Sequence, residues 1–213
     1  MSTWTFWPAL GPPDRAPGLR WPAPTIRDLV GGVYQTIKVS FSSINRRSPV
    51  TEILTFAGFL AACFAAATTG AVFKPGDWYR TLDKPVWTPP DWLFPIAWGV
   101  LYLTIAAAGW LILRSAGWPA AAPALAVYGA QLVANAAWSP LFFGLKRIDW
   151  GLAGVVVLWL SIVATIAMFY PLNATAAWLL VPYLAWATFA GALNFDIWRR
   201  NRKGRAGLAS SAS

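Results

Sequence analysis

The chain has 213 residues, of which 57% are hydrophobic and only 12% charged, with mean hydropathy +0.50, against about 25% charged residues in soluble domains. It has no histidine and one cysteine, Cys63, which excludes histidine general-base catalysis, histidine haem ligation, an intrachain disulfide and a thiolate metal cluster. The net charge of +9 collects at segment ends and in the tail, where anionic lipid accounts for it, so nucleic acid is not an expected partner.

Residues 1–50 form an N-terminal extension, Pro-rich from Pro8 to Pro24, with no apolar core suited to a signal peptide. Ile26, Leu29, Val30, Val33, Tyr34 and Ile37 follow helical spacing, which reads either as an interfacial amphipathic helix or as an unstructured arm.

Five apolar stretches follow, near Ile53–Phe73, Trp92–Leu113, Ala120–Leu145, Gly151–Tyr170 and Ala176–Phe195. Each approaches the roughly 20 residues needed to cross about 30 Å of hydrocarbon. Their length and lack of strand-like alternation predict helices, which satisfy their own backbone groups in lipid. The expected fold is therefore an all-α membrane protein, a bundle of five transmembrane helices over residues 51–198, followed by a basic, flexible tail over 199–213. It is an integral, multi-pass protein of the lipid bilayer, and the sequence does not specify which membrane. Short connectors with turn residues, such as Ser115-Ala116-Gly117-Trp118-Pro119, predict antiparallel neighbours. The first connector is longer and rich in aromatic residues and proline, a stiff loop suited to covering one mouth of the bundle. The basic residues of that loop, of Lys146-Arg147 and of the tail share one side, which favours a cytoplasmic C-terminus.

On the third stretch Gln131, Asn135, Trp138, Ser139 and Phe142 fall along one helical face. An unpaired amide in hydrocarbon is costly, so Gln131 and Asn135 are expected to point inward and meet another helix or a ligand. Pro182, Tyr183, Trp186, Ala190 and Asn194 repeat the pattern on the fifth stretch, with Pro182 expected to kink the helix and open a gap. Trp186 falls near mid-span, where burial against a flat ligand or a helix is expected. Trp92, Trp118, Trp150, Trp178 and Trp198 lie near segment ends and read as an interfacial belt. Indole and phenol rings around a few polar handles suit a planar conjugated ligand. The absence of an intramembrane acid or base argues against an ion-coupled pump. Ala126, Ala130 and Ala134 repeat every four residues, a spacing that allows close backbone approach, either in a homodimer or within one bundle.

The run Trp78-Tyr79, Leu82, Lys84-Pro85, Trp87, Pro89-Pro90, Trp92, Phe94-Pro95, Trp98, together with QLVANAAWSPLFFG from Gln131 and LVPYLAWATFAGALNF from Leu180, resembles the TspO/translocator family over about residues 53–200. The resemblance implies a five-helix bundle that binds porphyrins, and in some members sterols or benzodiazepine-type drugs, beneath the first loop. It implies a pocket at Trp78, Tyr79, Pro89, Trp98, Tyr102, Asn135, Trp138, Ser139, Trp186 and Ala190. To these the helical face adds Gln131 and Phe142. No obligatory cofactor is implied; porphyrin or haem is the ligand. The expected role is sensing, buffering or transport of tetrapyrroles. The alternatives are light- and oxygen-dependent protoporphyrin breakdown, for which the resemblance implicates Trp78 and Trp186, and transport of a sterol or another small molecule. A sterol-recognition pattern is incomplete, with Leu193, Phe195 and Arg199 in place but phenylalanine where tyrosine is wanted.

Overall fold

The computed structural model describes residues 25–27, 31 and 48–210, with residues 203–210 described by backbone alone. The residues from Ser48 onward form one unit. Apart from Ile26, the expected amphipathic segment lies outside the described residues.

Helix α1, Pro49–Val72, opens where the Ser48 side chain accepts a hydrogen bond from the Thr51 amide and Pro49 occupies the first turn, positions that need no intrahelical donor. A loop carrying the short helix α2, Asp77–Arg80, leads to α3, Leu93–Ser139. Four helical runs are apolar and long enough to cross a membrane, and the longest covers 52 residues, Leu93–Gly144. Left straight, that run would reach about 80 Å, far beyond the hydrocarbon thickness.

It does not run straight. Gly117 has φ 70° and ψ 165°, a conformation essentially reserved for glycine. There the chain folds back, so that residues 93–116 and 118–139 are antiparallel neighbours. Tyr102 hydrogen-bonds Asn135, and Tyr128 hydrogen-bonds the Ile105 carbonyl, pairing early with late residues around the turn. Pro119 and Pro123 fall in the opening turns after the reversal. The expected connector of several residues is thus compressed to one reversed residue, and the five spans stand.

A π-helical turn, Pro140–Gly144, ends this run with Leu145 N–H bonded to the Pro140 carbonyl. Helix α4, Ile148–Phe169, returns across the bundle. The last span is composite. Helix α5, Ala174–Trp178, is capped by the Asn173 side chain, and α6, Val181–Ser210, follows after a break at residues 179–180. Pro182 therefore does not kink a continuous helix. It sits in the first turn of α6, where its missing N–H costs nothing, and the interruption comes just before it. The helix also continues past residue 198, where the sequence predicts the tail to begin. Arg199 and Arg200 pair with Asp196, and Asn201 Nδ2 donates to the Ile197 carbonyl, binding the extra turn to the one before.

The core of the bundle includes Cys63, Ile105, Ile112, Ile162, Phe169 and Tyr183, all fully buried. Leu54, Phe64, Val133 and Val157 face outward, as lipid-facing residues do. Of the five tryptophans expected in a belt, Trp92, Trp118, Trp150 and Trp178 are exposed at their helix ends, whereas Trp198 is half-buried within a helix that continues past it, stacked on Phe195. Small residues set the closest approaches. A Cβ on Gly109 would meet the Phe59 ring, and one on Gly151 would meet Phe142.

Candidate functional site

Most of the expected site residues fall into three groups. The first is a floor of rings under the loop between α1 and α3. Phe142 is buried at its centre, stacked on Trp138 at 5.3 Å and 8°, with Trp78 and Tyr79 edge-on at 5.7 and 6.1 Å. The π turn sets this arrangement. Pro140 has no N–H to continue the ordinary ladder, and the wider turn carries Phe142 onto the backbone of Gly151. Trp138 fixes the same level by donating its indole N–H to the Gly151 carbonyl at 3.2 Å. Phe143, which the sequence reading passed over, closes the cluster at 4.8 Å from Phe142.

The loop is secured over this floor. Lys84 donates to the Tyr79 carbonyl at 2.9 Å and lies 4.7 Å from the Tyr79 ring centre. Burial, reinforced by the Asp91 carboxylate, pushes the Tyr79 phenol above its ordinary pKa, so it stays neutral. Across the bundle, the Asp83 amide donates to Asn201 Oδ1 at 3.1 Å and Asn201 Nδ2 donates to the Asp83 carbonyl at 3.0 Å. The loop thus bridges from α1 to the end of α6.

The second group is an uncharged hydrogen-bond chain in the bundle interior. The Tyr102 hydroxyl donates to Asn135 Oδ1 at 2.7 Å, and Asn135 Nδ2 donates to the Tyr183 oxygen at 2.7 Å. Trp98 stacks on Tyr102 at 5.3 Å and meets Tyr183 edge-on at 6.2 Å. One amide thereby joins both arms of α3 to α6. Gln131, one turn earlier, is 1% exposed, and neither of its amide atoms has a hydrogen-bond partner among the described residues.

The third group is a cleft of about 560 Å³ between residues 93–116 and α6, lined by Ala97, Val100, Leu101, Pro182, Ala185, Trp186 and Phe189. The two helices touch at its edge through Phe94 and Trp186, ring centres 5.8 Å apart, while Trp87 of the loop meets Phe189 at 5.7 Å. Of the expected site residues, Trp186 alone lines it. The others were legible as spacing: 182, 185, 186 and 189 form an i, i+3, i+4, i+7 stripe, and 97, 100 and 101 its counterpart.

Three expected residues stand apart from these groups. Ser139 faces α1, its Oγ 3.6 Å from where a Cβ on Gly70 would lie. Pro89 is half-buried in the loop, and Ala190 is half-buried one turn beyond Trp186. Trp78 and Trp186 belong to different groups of rings.

Comparison with known proteins agrees with this architecture. The TspO/MBR family pattern matches residues 59–199. The tryptophan-rich sensory protein of Cereibacter sphaeroides is 49% identical over 146 residues, covering 68% of this chain and 90% of the relative. Protein CrtK of Rhodobacter capsulatus is 43% identical over 156 residues, 70% of this chain and 94% of the relative. The translocator protein of Bos taurus is 36% identical over 159 residues, 74% and 90% respectively.

Proposed function

The chain belongs to the TspO/MBR family, and from that membership together with the cleft at Trp186 we propose that it binds a planar tetrapyrrole, a porphyrin or haem, within the membrane and serves to sense, buffer or move it. The cleft carries this reading. It is an open groove of about 560 Å³, not an enclosed cavity, and its walls are apolar with two aromatic side chains, Trp186 and Phe189, against which a flat ring can lie. A flat conjugated ring gains dispersion and ring contact there while its polar edges remain outside. The cations that would meet ligand carboxylates, such as Lys84, Arg199 and Arg200, stand on the loop side.

The interior is neutral. Tyr102, Asn135 and Tyr183 offer hydroxyl and amide groups, not the acids and bases that mark ion routes. This supports binding or passive movement over ion-coupled pumping. Homodimer formation through the small-residue stripe belongs to the same reading, carried by Ala126 and Ala130, which face outward; Ala134 is half-buried against the core.

The test is a titration in nanodiscs with protoporphyrin in the dark, followed by tryptophan quenching. Saturable quenching is expected, weakened about 2- to 13-fold in Trp186→Leu, as loss of one ring contact of about 0.5–1.5 kcal/mol implies. No saturable quenching in the wild type defeats the tetrapyrrole reading. Displacement by a sterol at lower concentration than porphyrin would transfer the site to sterols. A new absorbing product on illumination, lost in Trp186→Phe, would make the protein a photochemical enzyme.

A further inference from the structure

The two ends of the candidate site differ in how they are closed, and that difference bears on how a ligand gets in. The loop face is fastened. Asp83 and Asn201 exchange two hydrogen bonds, Arg200 Nη1 approaches Asp83 Oδ1 at 3.8 Å, and Trp78 and Tyr79 rest on the buried ring of Phe142. A bulky ligand entering there must break all of these and displace a ring packed on Gly151.

The side of the bundle is open. The cleft has a buried floor, Leu101, and its rims are outward-facing Val100 on one helix and Pro182 and Ala185 on the other. All three rim positions belong to segments long and apolar enough to span the bilayer, so the surface that meets this opening is hydrocarbon. The aromatic residues of its lining are Trp186 and Phe189, whose rings lie 5.5 Å apart. No ionic or polar contact has to break for an apolar plate to slide between the rims. Ala97 and Ala185 make the gap; a larger side chain at either would fill it.

We infer that the cleft between residues 93–116 and α6 is a lateral port through which the ligand enters from the bilayer, the loop face staying latched. The inference rests on the tetrapyrrole reading for the identity of the ligand, and its chemistry requires that ligand to be dissolved in the hydrocarbon phase. Val100 and Ala185 are the gate positions, and Trp186 is the ring first met.

The test measures the rate at which protoporphyrin preloaded into vesicles quenches the tryptophans of protein reconstituted in the same vesicles. Val100→Phe and Ala185→Phe, whose side chains face outward, are expected to slow the rate by about tenfold or more, a barrier change of about 1.4 kcal/mol. Asn201→Ala, which unlatches the loop, is expected to leave it unchanged. An Asn201→Ala protein that loads faster, with the two phenylalanine variants loading at the wild-type rate, overturns the lateral route. Vesicles of lipid brominated on the acyl chain keep the two readings separable. If wild type shows no saturable porphyrin quenching, the ligand identity falls. The port itself still predicts bromolipid quenching of Trp186, seen as the difference between wild type and Trp186→Phe and reduced in Ala185→Phe. Absence of that difference refutes the port.

Discussion

Replacing Gln131 by leucine should stabilise the protein, whereas replacing Asn135 by leucine, one helical turn away, should destabilise it. Both amides are buried, at 1% and 6% exposure, and leucine is the larger side chain at both positions, more so at Asn135. The difference lies in their partners. Asn135 accepts from Tyr102 and donates to Tyr183, each at 2.7 Å. Leucine there strands the Tyr102 donor and removes two interhelical hydrogen bonds. At about 0.6 kcal/mol per bond, the average in membrane bundles, up to about 2 kcal/mol when a partner is left unsatisfied, the cost is about 1–4 kcal/mol. Gln131 makes no such bond, so its replacement relieves an amide desolvation penalty of about 1–3 kcal/mol. Reversible unfolding of ligand-free protein in mixed micelles measures both. A Gln131→Leu protein less stable than wild type would show that the amide is held by a partner in the folded bundle and would refute the argument. If Gln131 instead contacts the ligand, Gln131→Leu gains stability and loses porphyrin affinity together, the trade expected of a site that keeps an unpaired polar group.

Gly117→Ala places a side chain at φ 70°, ψ 165° and should cost about 1–3 kcal/mol, read as earlier unfolding with little change in helix content. Gly151→Ala drives a methyl group into the Phe142 ring. The expected penalty is about 1–3 kcal/mol, together with a change in near-ultraviolet circular dichroism from the Trp138–Phe142 stack. Asn201→Ala breaks both hydrogen bonds to Asp83 and should raise amide hydrogen exchange in the loop over residues 81–88 while leaving α1 and α4 as protected as before.

The spans were legible because hydrocarbon imposes a simple condition, long runs without charge, and the chain meets it five times. The belt tryptophans were legible for the same reason. What the spacing could not reveal was backbone reversal at single residues. Gly117 reads as an ordinary turn residue, and only its positive φ shows that it alone reverses the chain. The face drawn through Gln131, Asn135, Trp138, Ser139 and Phe142 splits already in the helix before the π turn, because its positions spread over about 100° of the helical circumference. Asn135 goes to the hydrogen-bond chain, Ser139 to α1, and Trp138 and Phe142 together to the floor. The cleft was overlooked for a different reason. Its stripe of Pro182, Ala185, Trp186 and Phe189 is outwardly apolar, and in a membrane helix an apolar outward stripe looks like any lipid-facing surface until a second helix is placed beside it.

Division of labour among the three groups follows from their chemistry. The floor of Trp138, Phe142, Trp78 and Tyr79 is filled with its own rings and held by the loop, so its aromatic area is spent on closing the bundle. The chain from Tyr102 through Asn135 to Tyr183 consumes its hydrogen-bonding capacity in joining three helical segments. Trp186 and Phe189 still present a wall to open space. An aromatic residue acts on a ligand only with area that its neighbours have not covered, so substitutions in the floor or the chain should lower stability first and affinity as a consequence. Substitutions at Trp186 and Ala185 should change affinity or loading rate while the unfolding midpoint of the ligand-free protein stays close to wild type. Measuring both quantities on Phe142→Leu and Ala185→Phe separates the two behaviours, and equal loss of stability in both would show that the cleft is ordinary packing.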